Sequence, residues 1–421
     1  MNKKRIFYYD ALRALAIFGI ITCHMTANFI TKINVISIYN FDWVFLLTLN
    51  QFRQFCIPIF VMISGALLVN KDYSLSNFIK KKFNRIFIPY IFWAIVLVLF
   101  SYILINLGIN ANVIDSFSME YVIKSILGFT KGFQKGRIFW FIWMILTVYL
   151  ILFIMNKILK PFEEEKKKKI INLLVLIFTI YCLIVIPFDL INLSPYKSFV
   201  YYYISFAGYG ILGYYLAKTD FTNIGKLKLS NKTVLLVSSV LFILSFIYFL
   251  IDLTNLSIAS NEISGVNYFT FITLLLSSSI FLSFRYFEEA NEDDEDSLFM
   301  KIKNGKLGML INSISKCSFG IYFVHPLVYI FYKDIVFGSI DILKHNPIKW
   351  SSLMIVLVLF TSWGIIWIMS KIPYLEKVSG AWEKGYLKTK FSLWPQLIQW
   401  PSLILFLSLL RFEYLLRKHS I

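Results

Sequence analysis

The sequence predicts an all-α, polytopic integral membrane protein with about ten transmembrane helices and a C-terminal hydrophobic segment. Of its 421 residues, 58% are hydrophobic and 16% are charged, and the mean hydropathy is +0.69. Apolar runs of about 18 to 25 residues recur along the chain, and each can cross the roughly 30 Å hydrocarbon core as a helix. These observations exclude a soluble globular class.

The hydrophobic pattern predicts a ten-helix membrane domain over residues 1–372. Its spans are predicted, in chain order, at 8–29, 46–69, 88–108, 138–158, 170–188, 198–217, 233–251, 268–287, 314–336 and 350–372. Residues 373–421 form a basic segment followed by a second apolar stretch. Because Pro395 and Pro401 interrupt that stretch, an interfacial or re-entrant helix is as compatible with it as an eleventh span.

The positive charge predicts an orientation and not a nucleic-acid partner. The net charge is +18, but in a membrane protein the distribution of Lys and Arg between the connectors decides the topology. With a cytoplasmic N-terminus, the cytoplasmic connectors hold 27 of these residues and the opposite connectors hold eight. We therefore expect a multi-pass protein of the cell membrane, surrounded by membrane lipids, with its N-terminus in the cytoplasm.

Neither a disulfide framework nor a metal site is predicted. The cysteines lie in or beside apolar segments without paired spacing, at Cys23, Cys56, Cys182 and Cys317. The histidines and acidic residues form no metal-ligand motif either.

The first span carries three ionisable residues, Asp10, Arg13 and His24. Such groups are costly at membrane depth and indicate a functional site. Arg13 and His24 are eleven positions apart, which places them within roughly 20° of one helix face and about 16 Å apart along the axis. Asp10 has i,i+3 spacing to Arg13 and can pair with it, but it is about 21 Å from His24.

His24 is the candidate general base, because a neutral imidazole in an apolar site can accept a proton from a hydroxyl group. The alternative is a structural hydrogen bond between helices. Cys23 is adjacent, but successive helix positions point about 100° apart, which disfavours a Cys-His pair.

Three cations are candidates for binding phosphate groups of a nucleotide-type donor. Arg13 lies near the predicted cytoplasmic end of the first span, and Lys82 and Arg85 share a face at the entry to the third. The alternative is that they anchor the helices to lipid headgroups.

The second span has an irregular composition. Pro58 should break the backbone hydrogen-bond ladder at membrane depth, and Ser64 allows a close helix approach. We expect this helix to line a cavity, with packing alone as the alternative. Arg53 can contact an acceptor at the outer face or reach toward headgroups.

Three further features receive structural interpretations from the sequence. His325 precedes Pro326 and can line the same cavity beside a kink, although a structural hydrogen bond is favoured. Aromatic residues such as Trp140 are typical of interfacial belts and helix packing. The acidic block from 288 to 296 is typical of a solvated, disordered loop.

Several ordered motifs together resemble the membrane acyltransferase-three family. They are D-x-L-R-A-L-A-I at 10–17, the Arg13 to His24 spacing, I-P-I-F-V-M-I-S-G at 57–65, R-I-F-I-P-Y-I-F-W at 85–93, W-F-I at 140–142 and S-F-G-I-Y-F-V-H-P at 318–326. In this order they extend over most of the ten-helix unit.

The resemblance implies an acyl-coenzyme A donor reached from the cytoplasm, an acceptor hydroxyl at or beyond the outer face, His24 as the base and Arg13 as a donor contact. The family's R-x-x-R motif reads Lys82-x-x-Arg85 here, and lysine lacks the planar fork that binds phosphate through two hydrogen bonds. Many relatives have a histidine before the tryptophan of the fourth span. This sequence reads R-I-F-W from Arg137 to Trp140, so any role of that histidine is absent here. Some relatives also carry an appended extracellular hydrolase-like domain for a second transfer step, and no such domain is expected here.

The predicted function is therefore O-acyl transfer, most simply of acetyl from acetyl-CoA as co-substrate, with no bound cofactor. The acceptor is predicted to be a hydroxyl of a surface polysaccharide or its lipid-linked precursor, reached directly or through a separate extracellular partner. Backbone groups freed by Pro58 are expected to help stabilise the oxyanion. The alternatives are a succinyl donor and, from another class, a glycan or lipid exporter that transfers no acyl group.

Overall fold

The computed structural model of the protein describes residues 6–30, 33, 39–106, 140–190, 199–260, 267–338 and 346–381. This part of the chain is almost entirely helical. The strands described within it form one short antiparallel hairpin, β1 (Asn223–Ile224) and β2 (Leu227–Lys228). The predicted all-α class is confirmed.

The described helices are, in chain order, α1 (Phe7–Ile30), α2 (Phe41–Asn50), α3 (Arg53–Leu68), α4 (Leu75–Phe78), α5 (Asn84–Asn106), α6 (Trp140–Leu159), α7 (Glu164–Leu190), α8 (Phe199–Lys218), α9 (Asn231–Ser260), α10 (Phe271–Glu289), α11 (Leu298–Asn304), α12 (Lys306–Ile330), α13 (Pro347–Met369) and α14 (Leu375–Val378). Two π-helical turns also occur, at Ile79–Phe83 before α5 and at Phe331–Val336 after α12.

Eight helical segments in the described part of the chain are long and apolar enough to cross a membrane. Each of the ten predicted spans overlaps a long helix, and the fifth and sixth correspond to α7 and α8. The chain is therefore a multi-pass membrane protein. The predicted segment after Trp382 lies outside the described residues.

α1 is the central helix of the bundle. It packs against α2, α3, α10, α12 and α13, and 16 of its 24 residues are buried. By contrast, only 22% of the apolar window of α9 is buried, as expected for a helix that faces lipid. The ionisable residues of the first span consequently lie in the protein interior, where polar partners from other helices can reach them.

Small residues hold α3 close to α8. A Cβ atom added at Gly65 would lie 1.8 Å from the carbonyl oxygen of Gly210, and one added at Gly213 would lie 2.1 Å from the Met62 carbonyl oxygen. Larger side chains at these positions would force the two helices apart. Helix α3, which begins at Arg53, is thereby fixed firmly against α8.

The second predicted span is interrupted, but not at Pro58. The helix breaks at Gln51 and Phe52 between α2 and α3, and α3 then continues through Pro58 to Leu68. The prediction that the helix is irregular at Pro58 is therefore wrong about the position of the break. A proline six residues into a helix still frees one carbonyl group, but neighbouring helices can accommodate this without a break.

The acidic block is wrongly predicted as a wholly solvated loop. Glu288 and Glu289 form the last residues of α10, and Glu288 is buried. Arg285 donates from Nε to Glu289 at 2.7 Å and from Nη1 to the Leu216 carbonyl oxygen at 2.6 Å, near the C-terminal end of α8. The prediction fits only the exposed part of the block, residues 292–296.

Candidate active site

The candidate site is organised along α1, with cations near its first turns and a cavity near its other end. Arg13 lies in the second turn, and His24 lies six residues before the last residue of the helix. At 1.5 Å per residue, the two positions are separated by about 16 Å along the axis. The structure therefore divides the predicted residues between two regions, here called the basic cluster and the histidine cavity.

The histidine cavity has a volume of about 100 Å³. Five parts of the chain line it: Ile20, Cys23 and His24 from α1, Arg53 and Ile57 from α3, Trp140 and Phe141 from α6, Tyr268 from the segment before α10, and Tyr322 from α12. Most of this wall is apolar or aromatic, so charged groups in it are poorly hydrated and interact strongly. His24 and Arg53 bring an imidazole and a guanidinium to the same small space.

His325 lies behind His24 and is not among the residues that line this cavity. The two imidazole rings are stacked, with centroids 5.2 Å apart and planes inclined by 29°. His325 is 2% exposed, and its Nδ1 lies 2.7 Å from the Tyr322 carbonyl oxygen. Since a carbonyl group only accepts hydrogen bonds, Nδ1 carries a proton, and in the neutral ring Nε2 does not.

The proline that follows His325 explains the hydrogen bond from His325 Nδ1 to the Tyr322 carbonyl oxygen. Pro326 has no N–H, so the Tyr322 carbonyl four residues earlier has no helical donor. The His325 side chain supplies that donor. The structural interpretation of the His-Pro pair fits these contacts, and the pair also places one ring against His24 and the Tyr322 side chain in the cavity wall.

The basic cluster brings together the three cations expected to bind a donor. Lys82, on the π-helical turn before α5, lies within electrostatic range of Arg85, Lys71 and Arg13. Arg13 and Arg85 also lie within range of the Tyr149 hydroxyl group from α6. Lys82 is half-buried and lies over the Tyr73 ring at 5.4 Å. Converging cations on ordered helices form a suitable site for phosphate groups.

Asp10, three residues before Arg13 on α1, joins α1 to α12 through a hydrogen bond with Ser315. Its carboxylate lies 3.4 Å from Arg13 Nη1 and accepts a hydrogen bond from Ser315 Oγ at 2.7 Å. At 2% exposure, it is a buried carboxylate with both a charged and a neutral partner. The predicted i,i+3 pair is present, and Ser315 is a partner that the sequence analysis missed.

Glu288 is a second missed residue. Its Oε2 accepts a hydrogen bond from the Tyr8 amide at 2.7 Å, and Lys303 Nζ lies 3.6 Å from Oε1. The first amides of a helix lack intrahelical partners, and a carboxylate there also interacts favourably with the helix dipole. Glu288 thus fixes the start of the helix that carries Arg13 and His24.

The basic end of the bundle also contains an exposed ion-pair group. Asp72 accepts from Lys157 at 2.7 Å and pairs with Lys160 at 2.8 Å. These two hydrogen bonds lower the pKa of the Asp72 carboxyl to about 2. The group connects the segment between α3 and α4 to α6.

Pro58 and Ser64 lie on α3 but do not line the histidine cavity. Ser64 Oγ donates to the Phe60 carbonyl oxygen at 2.9 Å and lies 3.5 Å from the Tyr149 hydroxyl group. Pro58 is buried in the helix, and its neighbour Ile57 reaches the cavity. Moreover, proline frees a carbonyl oxygen, which is an acceptor and cannot stabilise an oxyanion.

The aromatic wall was the main part of the site that sequence reasoning missed. Trp140 was interpreted as a belt residue, yet it lines the cavity together with Phe141, Tyr268 and Tyr322. Trp140 and Tyr322 lie within two of the motifs that support the family resemblance, which was the available signal. The predicted feature at Arg137 lies outside the described residues.

The fold and the site define a class of protein, a polytopic membrane protein in which one central helix contributes Arg13 to a basic cluster and His24 to a histidine cavity. The family model for an acyltransferase domain, acyltransferase family three, matches residues 6–369, which include nearly all of the described chain. The chain therefore belongs to that family, and it is an acyltransferase that transfers groups other than amino-acyl groups. No curated protein and no solved structure matches it.

Proposed function

We propose that the protein transfers an acetyl group from cytoplasmic acetyl-CoA to a hydroxyl of a cell-surface polysaccharide or its lipid-linked precursor. His24 is the general base, and Arg13, Lys82 and Arg85 bind the donor. The observation that carries this proposal is the placement of Arg13, from the basic cluster, and His24, from the histidine cavity, on the same buried helix, about 16 Å apart along its axis.

The chemistry of coenzyme A matches this separation. Its phosphates and its thioester lie at opposite ends of the molecule, joined by the long pantetheine arm. A donor held by its phosphates at Arg13 and Lys82 would therefore extend its acyl group along α1 toward His24. The arginines supply paired N–H donors for phosphate oxygens, and Lys82 supplies a point charge.

The transfer itself requires one base. The acceptor hydroxyl loses its proton to the His24 imidazole while its oxygen forms a bond to the thioester carbon. The tetrahedral intermediate then collapses, the carbon–sulfur bond breaks, and the coenzyme A thiolate takes the proton from His24. General base catalysis of this kind contributes about 10² to 10⁴ in rate.

The cavity volume favours an acetyl group over a succinyl group. A cavity of about 150 Å³ accommodates benzene, which has six non-hydrogen atoms. At about 100 Å³, the histidine cavity is smaller than that cavity, so it suits a small acyl group better than a larger one. An acetyl group has three non-hydrogen atoms, whereas a succinyl group has seven.

The charge distribution supports the orientation in this proposal. The Lys and Arg residues of the connectors favour the basic cluster on the cytoplasmic side of the cell membrane, where acetyl-CoA is found. The acceptor then approaches from the opposite side, directly or through a separate extracellular partner. The exporter alternative receives no support, because the chain belongs to an acyltransferase family.

The first experiment measures the unfolding midpoint of the purified protein in detergent with acetyl-CoA, succinyl-CoA and free coenzyme A. A ligand at about a hundredfold excess over its Kd adds roughly 2.7 kcal/mol to the stability of the native state. We expect a shift with acetyl-CoA that Arg13→Ala reduces strongly.

The matched control is Lys301→Ala, which removes an exposed lysine from α11, where Phe299 contacts Phe7 at the start of α1. This variant should keep the full shift. The absence of a shift with every coenzyme A derivative, in folded wild-type protein, would contradict the proposed donor.

A further inference from the structure

Arg53 lines the histidine cavity but has no role in general base catalysis by His24 or in donor binding by the basic cluster. It is the first residue of α3, directly after the break in the second span, and its side chain lines the histidine cavity together with His24. Among the residues that line this cavity, Arg53 is the one with a permanent positive charge. A guanidinium is costly to place in an aromatic cavity inside a membrane bundle, so its presence there indicates a functional role for Arg53.

The surroundings of Arg53 fix its charge beside the reacting groups. It lies within electrostatic range of His24 and of the Tyr268 hydroxyl group. It also lies within hydrogen-bonding reach of the Cys23 thiol on α1. Gly65 and Gly213 hold α3 tightly against α8, so the helix that carries Arg53 cannot easily move away. The cation is therefore preorganised before a substrate enters.

The charges in the cavity change during the transfer in a way that suits an arginine. In the resting state, His24 is neutral and Arg53 carries one positive charge. When His24 accepts the hydroxyl proton, two cations face each other in a poorly hydrated space, and they repel one another strongly. The negative oxygen of the tetrahedral intermediate forms in the same step. An oxyanion near Arg53 offsets this repulsion.

Resting on the function proposed above, we propose that Arg53 stabilises the oxyanion of the tetrahedral intermediate by donating guanidinium N–H hydrogen bonds to the former thioester carbonyl oxygen. The electron pair of that carbonyl moves onto the oxygen when the acceptor oxygen attacks, and it returns when the carbon–sulfur bond breaks. Arg53 keeps its proton throughout and acts as a catalytic residue through its charge.

Other donors in the cavity are weaker candidates. The hydroxyl groups of Tyr268 and Tyr322 are neutral, and hydrogen bonds from an ionised donor are about twice as strong as those between neutral groups. The size of the cavity also argues against a distant carboxylate of the acceptor as the partner of Arg53. Arg53 and His24 line the same space of about 100 Å³, so the charge of Arg53 lies close to atoms that react beside the His24 imidazole.

The test uses native membranes, because these contain the acceptor. The initial rate of transfer of radiolabelled acetyl from acetyl-CoA into base-labile esters is measured with wild type, Arg53→Gln and Arg53→Lys. Membranes without the protein give the background. The control is Lys333→Gln, which removes a half-buried cation paired with Asp334 on the π-helical turn after α12, outside the cavity.

We expect Arg53→Gln to lower the maximal rate by about 10² to 10³, as the loss of an oxyanion donor does in other enzymes. Arg53→Lys should retain more activity, because the charge remains but the planar fork is lost. Acetyl-CoA should still raise the unfolding midpoint of both purified variants. Lys333→Gln should behave as wild type.

Several results would overturn the assignment while the proposed function stands. One is an Arg53→Gln rate within about threefold of the wild-type rate. Another is a large loss in Tyr268→Phe or Tyr322→Phe with Arg53→Gln unaffected. A third is loss of the acetyl-CoA shift in both Arg53 variants, which would assign the residue to donor binding or folding. Wild-type preference for succinyl-CoA that switches to acetyl-CoA in Arg53→Gln would make Arg53 a carboxylate subsite, and it would overturn the acetyl donor of the proposed function as well. If wild type neither binds acetyl-CoA nor transfers acetyl, the proposed function itself fails.

Discussion

The two ends of α1 are held in different ways. Near its start, Glu288 accepts from the Tyr8 amide, Asp10 pairs with Arg13, and Ser315 donates to Asp10. Near its other end, the described contacts of the His24 ring are its stacking on His325 and the aromatic wall of the cavity. The start of α1 is thus held through charged side chains. Near its other end, neutral hydrogen bonds from Asn50 on α2 hold the helix at Cys23 and Thr26, and ring packing positions the His24 imidazole.

This difference indicates how one helix can serve two tasks. Ionic contacts at the basic cluster hold cations in place before a phosphate arrives, and hydrogen bonds to charged groups contribute about 1.5 to 3 kcal/mol each. The cavity instead leaves the imidazole nitrogens of His24 available for a substrate, because stacking positions a ring through its face. Variants in the two regions should therefore change different measured quantities.

The largest expected effect is that of His24→Ala. Loss of the general base should lower the initial rate of acetyl transfer in native membranes by about 10² to 10⁴. The shift of the unfolding midpoint with acetyl-CoA should remain, because the basic cluster is unchanged. Phe18→Ala, at a position on the same helix that is 36% exposed, is the control and should keep its activity. Near-normal transfer by inserted His24→Ala protein would contradict the role of this residue as the base.

His325→Phe should separate stability from chemistry within the cavity region. The aromatic ring remains behind His24, but the Tyr322 carbonyl loses the donor that compensates for Pro326. An unpaired buried acceptor costs about 1 to 3 kcal/mol, so the unfolding midpoint should fall. Transfer by the protein that remains folded should stay within about tenfold of wild type. A loss as large as that of His24→Ala would instead make His325 part of the proton-transfer machinery.

Lys82→Arg should strengthen acetyl-CoA binding at the basic cluster. A guanidinium can bind phosphate through two hydrogen bonds, so the apparent Kd for acetyl-CoA should fall by a few-fold, without a change in the maximal rate. Lys81→Arg is the matched control, because Lys81 is exposed whereas Lys82 is half-buried. Equal effects of the two substitutions would show that the cluster acts only through its total charge.

The smallest expected effect is that of Asp72→Asn. The folded-state pKa of about 2 is below the usual value for aspartate, so the ion pairs with Lys157 and Lys160 stabilise the folded protein at neutral pH. This contribution is present above about pH 4 and is lost as the pH falls toward 2. The midpoint difference between wild type and Asp72→Asn should thus be small, decrease in acid and decrease in 1 M salt. A midpoint difference that grows on acidification would contradict a stabilising role for the ion pairs of Asp72.

Local rules predicted the helices and the contacts within each of them. Hydropathy located the long helices because a membrane span must satisfy its own backbone hydrogen bonds and present apolar side chains to lipid. The Asp10–Arg13 pair followed from i,i+3 spacing alone. The same rules failed for Glu288, since local charge density predicts exposure but contains no information about the helix terminus that approaches it.

The sequence by itself thus determined that the chain is a membrane-embedded helical bundle, and its ordered motifs indicated an acyltransferase. Only the tertiary structure decided which residues share a site. Arg53, Trp140, Tyr268 and Tyr322 join His24 from four separate parts of the chain, and His325 lies behind it. The physical reason is that hydropathy and helical periodicity act within one helix, whereas a cavity forms from the close packing of several helices, fixed here by contacts such as that of Gly65 with Gly210.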